Sequence, residues 1–157
     1  MGLVIEIAIA KTSKYATRES GDTAEVVERP GGGLSVVVVD GQGSGAAAKA
    51  LSLSLTSKAV ALLKEGVRDG AVARAVHDGL IAYRHGKVSA SLDILSIDLR
   101  TRTVVVTRNA ETPLLVGRGA SYELLPPVSG PIGLYHFTRP MVIQFAAEPG
   151  LSLAIFT

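Results

Sequence analysis

The stretch Leu34-Ser35-Val36-Val37-Val38-Val39-Asp40-Gly41-Gln42-Gly43-Ser44-Gly45 joins a near-continuous apolar run to a turn carrying three glycines. Consecutive valines are β-branched and stiff, so the run predicts a strand, and its unbroken apolarity predicts cover on both faces. The strand stops at Asp40, and from Ala46 to Glu65 the composition becomes helical. A carboxylate at the end of a buried strand is held rigidly, and neighbouring glycines let backbone and ligand approach it closely. Hard divalent cations take such carboxylate and carbonyl oxygens, with water in the remaining positions. The same residues also read as a plain glycine-rich turn with Asp40 solvated or capping, and the pattern alone weighs the two readings equally. A nucleotide cradle ranks well below the metal reading. No Gly-Lys-Ser/Thr follows, the glycines have the wrong spacing for a dinucleotide fingerprint, and Asp40 would stand beside the pyrophosphate.

Upstream, Leu3–Ala10 partly alternates and predicts a strand. A polar stretch, Lys11–Asp22, ends in Ser20-Gly21-Asp22, and a second strand is expected over Thr23–Glu28 before a turn at Pro30–Gly33. Downstream, Ala47, Leu51, Leu55, Ala59, Leu62 and Leu63 recur at helical spacing and give one apolar face. A second helix is expected from Ala71 to about His85, with Val72, Ala75, Val76, Leu80 and Tyr83 facing inward. The pattern then returns to strands: Ser89–Asp98 and Thr103–Thr107 around a hairpin at Leu99–Arg102, followed by Pro113–Val116 and Tyr122–Leu125. After a Pro- and Gly-rich loop, Pro126–Pro140, come Met141–Ala147 and Leu151–Phe156. Strands, two consecutive helices and more strands make an α+β order, with the helix pair on one face of an antiparallel sheet.

The 157 residues suit one domain with a real core. Hydrophobic residues make up 47% and charged residues 19%, a globular balance in which Val, Leu, Ile and Ala must build the core because aromatics are 4%. Sixteen basic against fourteen acidic residues leave +2, and the arginines form no tract with interleaved aromatics, so nucleic acid is not an expected partner. Absence of cysteine excludes disulfides, thiolate zinc sites and a cysteine nucleophile. Glu6 interrupts the opening apolar segment, no basic region precedes it, and no apolar run approaches a membrane span of roughly 20 residues. The expectation is a cytoplasmic protein that is monomeric and makes no membrane contact.

Four segments in one order carry a resemblance. Val38-Val39-Asp40-Gly41-Gln42-Gly43-Ser44-Gly45 before an Ala-rich helix resembles the Asp-Gly-x-Gly-x-Gly run of the bacterial PPM-type serine/threonine phosphatases of the sporulation and sigma-factor pathways. Ser20-Gly21-Asp22, Arg108-Asn109-Ala110-Glu111-Thr112-Pro113 and Gly130-Pro131-Ile132-Gly133-Leu134 resemble their Ser-Gly-Asp, Asn-Ala-Gly-His-x-Pro and Pro-Leu-Gly segments. The small size is most similar to the RsbX-type feedback phosphatases of the stressosome. The resemblance implies a PPM phosphatase-like α-β-β-α sandwich of antiparallel sheets flanked by helices. It implies two Mn²⁺ or Mg²⁺ ions bridged by the Asp40 carboxylate, with the Gly41 carbonyl completing one shell and Asp22 holding a water or orienting the site. A water activated by the metals would hydrolyse phosphoserine or phosphothreonine in line, without a covalent phosphoenzyme. The implied substrates are phosphorylated stressosome or STAS-domain proteins.

Two departures bear on that expectation. Relatives continue into further metal-binding aspartates where this sequence reads Leu153-Ala154-Ile155-Phe156-Thr157, so residues 1–157 are expected to be one domain truncated at its C-terminus. A non-catalytic PPM-like binding domain is the alternative. Glu111 stands where the family has Gly. Of the remaining candidates, Lys14 or Arg18 would hold the substrate phosphate by charge-assisted hydrogen bonds, although a solvated face explains such residues as well. His77, His85 and His136 lack ligand spacing; His85 is expected to end the second helix. Ser44 is expected to cap the first helix, and Asp98 to serve the hairpin turn.

Overall fold

A computed structural model describes residues 2–16 and 18–157; Met1, and Thr17 within the polar stretch 11–22, lie outside them. The described residues form β1 (Asp22–Glu28), β2 (Leu34–Gly41), α1 (Gly45–Lys64), α2 (Asp69–Arg84), β3 (Ala90–Asp98) and β4 (Thr103–Asn109). β5 (Leu114–Arg118), β6 (Ser121–Leu125), β7 (Met141–Ala146) and β8 (Leu151–Ala154) complete the chain. One antiparallel sheet has the order β1-β2-β3-β4-β7 and a second the order β6-β5-β8.

Alternation along β2 divides the protein into layers. Val37 and Val39 are fully buried with Leu55, Leu63, Val76, Leu92 and Ile94 between the large sheet and the helix pair. Val36 and Val38 face the other way and are only half-buried, so cover is complete on the helix side alone. On that other face Val104 and Val106 pack with Leu114 and Val116 of the small sheet, giving a second apolar layer. This is the α+β arrangement of antiparallel sheets and paired helices expected from the element order.

Four expectations are corrected. Leu3–Ala10 forms no strand. A strand needs a neighbour whose amides and carbonyls it can satisfy, but this segment borders a cavity of about 950 Å³ that it shares with both sheets. The buried face of α1 is rotated from the one read in the sequence: Ala48, Ser52, Leu55, Thr56, Ala59, Val60 and Leu63 are buried while Ala47 is exposed. Burial of the Ser52 hydroxyl follows from pairing, since its Oγ lies 2.7 Å from Thr23 Oγ1 of β1, whereas Thr56 Oγ1 is buried without a hydrogen-bond partner. On α2, Ala73 and His77 join Val72, Val76 and Leu80 in the core; Ala75 is half-buried and Tyr83 is 79% exposed. Ser44 has the extended backbone of a cap position, but its hydroxyl makes no capping hydrogen bond.

α1 is, by length and composition, apolar enough to cross a membrane, which the sequence reading did not anticipate. In this fold its buried stripe packs on β1, β2 and α2.

Candidate functional site

β1 begins and β2 ends at the same edge of the large sheet, and the antiparallel register sets Asp22 directly opposite Asp40. Side chains of such cross-strand partners point to the same face. α1 closes against both strand ends through Ala48. A Cβ on Gly41 would lie 2.5 Å from the Ala48 carbonyl oxygen, and one on Gly21 would lie 2.8 Å from the Ala48 Cβ. Glycine is therefore required at both places, and the Gly41 carbonyl oxygen faces Gly21, 3.7 Å from where a Cβ on Gly21 would stand. Gln42 ties the turn to β3: its amide donates to the Ser89 carbonyl at 3.0 Å, and its Oε1 accepts from the Ser89 amide at 2.8 Å.

Two carboxylates so close repel one another. Burial raises Asp40 from its ordinary 3.8 to about 6, reinforced by the hydrogen bond and negative charge of Asp22 and opposed by Lys14. Asp22 is also tied down: Thr157 Oγ1 donates to its Oδ2 at 2.8 Å, while Lys49 Nζ donates to its backbone carbonyl at 2.7 Å and to Thr23 Oγ1 at 2.9 Å. Lys11 Nζ donates to the same Asp22 carbonyl. Crowding by Lys11, then partial burial, lowers the Lys49 ammonium's pKa.

Asp40, Gly41 and Lys14 line a cleft of about 250 Å³ together with Glu111, Thr112 and Pro131. The loop bearing Glu111 and Thr112 is fixed from beneath. Arg108 of β4 is directly opposite Asp93 of β3, and the two form an ion pair with 1% exposure on each side. Arg108 Nη1 also donates to the Thr112 carbonyl at 2.8 Å and Nη2 to its hydroxyl at 3.1 Å. Burial raises the Asp93 pKa while Arg108 opposes the shift. Asn109 Nδ2 reaches the Gly130 carbonyl at 3.2 Å, and Ser129 Oγ the Arg108 carbonyl at 2.6 Å, joining the segment 129–131 to the same wall.

The cleft thus brings together three of the four resembling motifs, plus Lys14, while Asp22 stands on the neighbouring strand. Arg18 is exposed and does not line the cleft. Lys49 and the Asp93–Arg108 pair were not singled out in the sequence. An acid embedded in the apolar run Leu92-Asp93-Ile94-Leu95 was the available signal for the pair, because such a carboxylate needs a cation if it is buried.

The donor chemistry fits a hard divalent cation. Asp40 and Asp22 are oxygen donors held together at an electrostatic cost that a cation would relieve, and Gly41 follows Asp40 directly. Among the described residues no group of three or more His, Cys, Asp or Glu side chains is placed to hold a metal. A magnesium-like ion that keeps several waters needs only one or two carboxylates.

A family model described as Stage II sporulation protein E (SpoIIE) matches residues 30–157. No curated protein matches the chain in sequence. Among solved structures, the PP2C phosphatase domain of the cell-fate determinant SpoIIE from Bacillus subtilis, solved with a fragment of its regulatory domain, superposes with a TM-score of 0.80 at 22% identity. It covers 92% of this chain and 42% of its own. The RsbU and RsbW domains of Rv1364c from Mycobacterium tuberculosis give 0.74 at 21% identity, over 90% and 39%. A structure from work on the bacterial stressosome as a modular system controlling secondary messenger signalling gives 0.72 at 14% identity, over 89% and 69%. The chain spans about two-fifths of the length of the first two of these structures. At these identities the likeness establishes the fold, that of the PPM phosphatases.

Proposed function

The chain belongs to the SpoIIE family, and on that premise we propose that it is the metal- and phosphate-handling domain of a protein serine/threonine phosphatase. The observation that carries this reading is Asp40, opposed across the strands by Asp22, lining with Gly41 a cleft of about 250 Å³. Asp40 and the Gly41 carbonyl would hold Mn²⁺ or Mg²⁺, with Asp22 orienting the water around the site; two ions are expected in the complete site. Bound there, the metal would supply an activated water and neutralise charge on the phosphoryl oxygens.

The chain's own residues do the rest. Lys14, which lines the cleft, would attract the phosphate dianion; Arg18 is the weaker candidate because it does not line the cleft. Arg108, paired with Asp93, hydrogen-bonds Thr112 and so supports the cleft wall that also carries Glu111. Glu111 adds negative charge to that wall and would disfavour a second anion, which restricts the cleft to one phosphate when cations are present. The substrates proposed are phosphorylated stressosome or STAS-domain proteins, supported by the stressosome and RsbU–RsbW structures among those of the same fold.

A second reading, a non-catalytic domain that regulates the same partners by binding, is favoured by one observation: among the described residues no third His, Cys, Asp or Glu is grouped with Asp22 and Asp40 to hold a metal. Hydrolysis of a phosphoserine peptide with and without Mn²⁺, in the chain and in Asp40→Asn, separates the two. Metal-dependent turnover lost in the variant supports the phosphatase; no turnover under either condition, with peptide still bound, sinks it in favour of the binding domain.

A further inference from the structure

Segment 133–139, which leads directly out of the cleft wall, is clamped to α2 by a buried histidine. His77 is 2% exposed; its Nδ1 accepts from the Gly133 amide at 3.0 Å, and its Nε2 faces the His136 carbonyl at 3.4 Å. These contacts require the neutral ring with its proton on Nε2. Gly133 has φ +97°, and a side chain there would strike the Val88 carbonyl and Leu80. Thr138 Oγ1 donates to the Tyr135 carbonyl at 2.9 Å, closing the loop on itself. The backbone is thus fixed, yet the side chains it presents are bare: Phe137 is 97% exposed and Tyr135 70%.

The end of α2 extends the same surface. A Cβ on Gly86 would lie 3.4 Å from the Leu134 carbonyl, which sets residues 83–87 beside the loop, and Tyr83 is 79% exposed. Arg84, Lys87 and Arg139 are exposed in these two segments, and neither 83–87 nor 134–139 contains an acid. Exposed aromatics on a backbone held in place, interleaved with arginine, have the composition of protein-interface anchors, and little backbone freedom is lost when such a loop binds. Three cations are fewer than the clusters of about four to eight that anionic lipid surfaces select.

We propose that Phe137, Tyr135 and Tyr83, with Arg84, Lys87 and Arg139, form a docking surface for an acidic segment of a protein partner. Its identification with the phosphoprotein substrate rests on the function proposed above. Pro131 lines the cleft and Ile132 pairs with Ala90 beside Gly41, so a segment anchored at Phe137 runs towards the cleft.

The test is fluorescence anisotropy of a labelled phosphoserine peptide flanked by Glu and Leu, against the same peptide with Lys in place of Glu. Both are titrated with the wild-type chain, Phe137→Ala and Arg139→Glu. Because both side chains are exposed, folding should be unaffected, and circular dichroism checks it. The expected result is affinity for the acidic peptide reduced on the order of tenfold by each substitution, with Mn²⁺-dependent hydrolysis of p-nitrophenyl phosphate unchanged. Loss of peptide affinity in the variants without any hydrolysis in wild type would uphold the docking surface while the phosphatase reading fails. Equal binding by wild type and variants, or equal binding of the lysine peptide, overturns the proposal. Wild-type binding to phosphatidylserine-containing vesicles with no peptide binding overturns it in favour of a membrane surface.

Discussion

At the site, Asp40 is where sequence-encoded charge and tertiary burial collide. Its pKa of about 6 against an ordinary 3.8 means that the folded, metal-free chain holds a proton that the unfolded chain releases between those values. Folding stability from this group is therefore highest below about 4 and falls as pH rises to about 6. Solvent reaches the half-buried carboxyl, so the loss is at most about 1 kcal/mol. Urea denaturation of metal-free protein at pH 4.5 and pH 7 should show this decline, and Asp40→Asn should make it smaller by that amount. Arg108 poses a larger stake. Arg108→Met leaves Asp93 buried and unpaired and should cost about 3–5 kcal/mol, whereas Arg108→Met with Asp93→Leu should recover much of it; equal instability of both would sink the buried-pair account. The strand end at Asp40 and its glycine turn were legible in the sequence, but the pattern alone weighed a metal ligand and a plain turn equally, and only the strand register set Asp22 opposite Asp40. Lys49 was not legible: it sits on a helix face that reads as solvated, and only the close approach of α1 to the start of β1 brings it to the Asp22 carbonyl.

Elements were legible to within a few residues wherever local chemistry sets the ends. β2, the helix pair, the hairpin at 99–102 and the paired strands all follow from periodicity and turn residues. Asp98 accepts from the Arg100 and Thr101 amides at 2.8 and 3.2 Å as the turn requires, and His85 ends α2 in the left-handed conformation at φ 54°. The buried face of α1 was misread because Ser52 and Thr56 score as polar, while β1 supplies Ser52 with a partner that makes its burial tolerable. Contact between α1 and β2 is tight enough to be tested by one methyl group. Gly41→Ala must push Ala48 away and should destabilise by about 1–3 kcal/mol, measured by thermal or urea unfolding; an unchanged midpoint would mean that α1 does not hold the strand ends. Leu63→Ala, in the layer between α1 and the sheet, should cost about 2–5 kcal/mol.

Across the whole molecule, two apolar layers on opposite faces of the five-stranded sheet hold the strand ends that carry Asp22, Asp40 and the Arg108 loop. A metal bound only by the folded state should raise the melting temperature. Mn²⁺ at about 100 times its dissociation constant would add about 2.7 kcal/mol, and differential scanning fluorimetry should show the rise in wild type and not in Asp40→Asn. A rise in both would place the ion elsewhere. From Asp22 onward the order of strands and helices, the α+β class and the Asp-Gly turn could be read from the amino-acid sequence, because these depend on side-chain periodicity and on φ restrictions within a few residues. Long-range packing settled the rest: that residues 3–10 form no strand, that Asp93 meets Arg108, and that Lys49 and His77 have positional duties. Each of these depends on which surfaces meet across the chain, and the free energy of a buried charge or an unpaired strand is set by its neighbours in space.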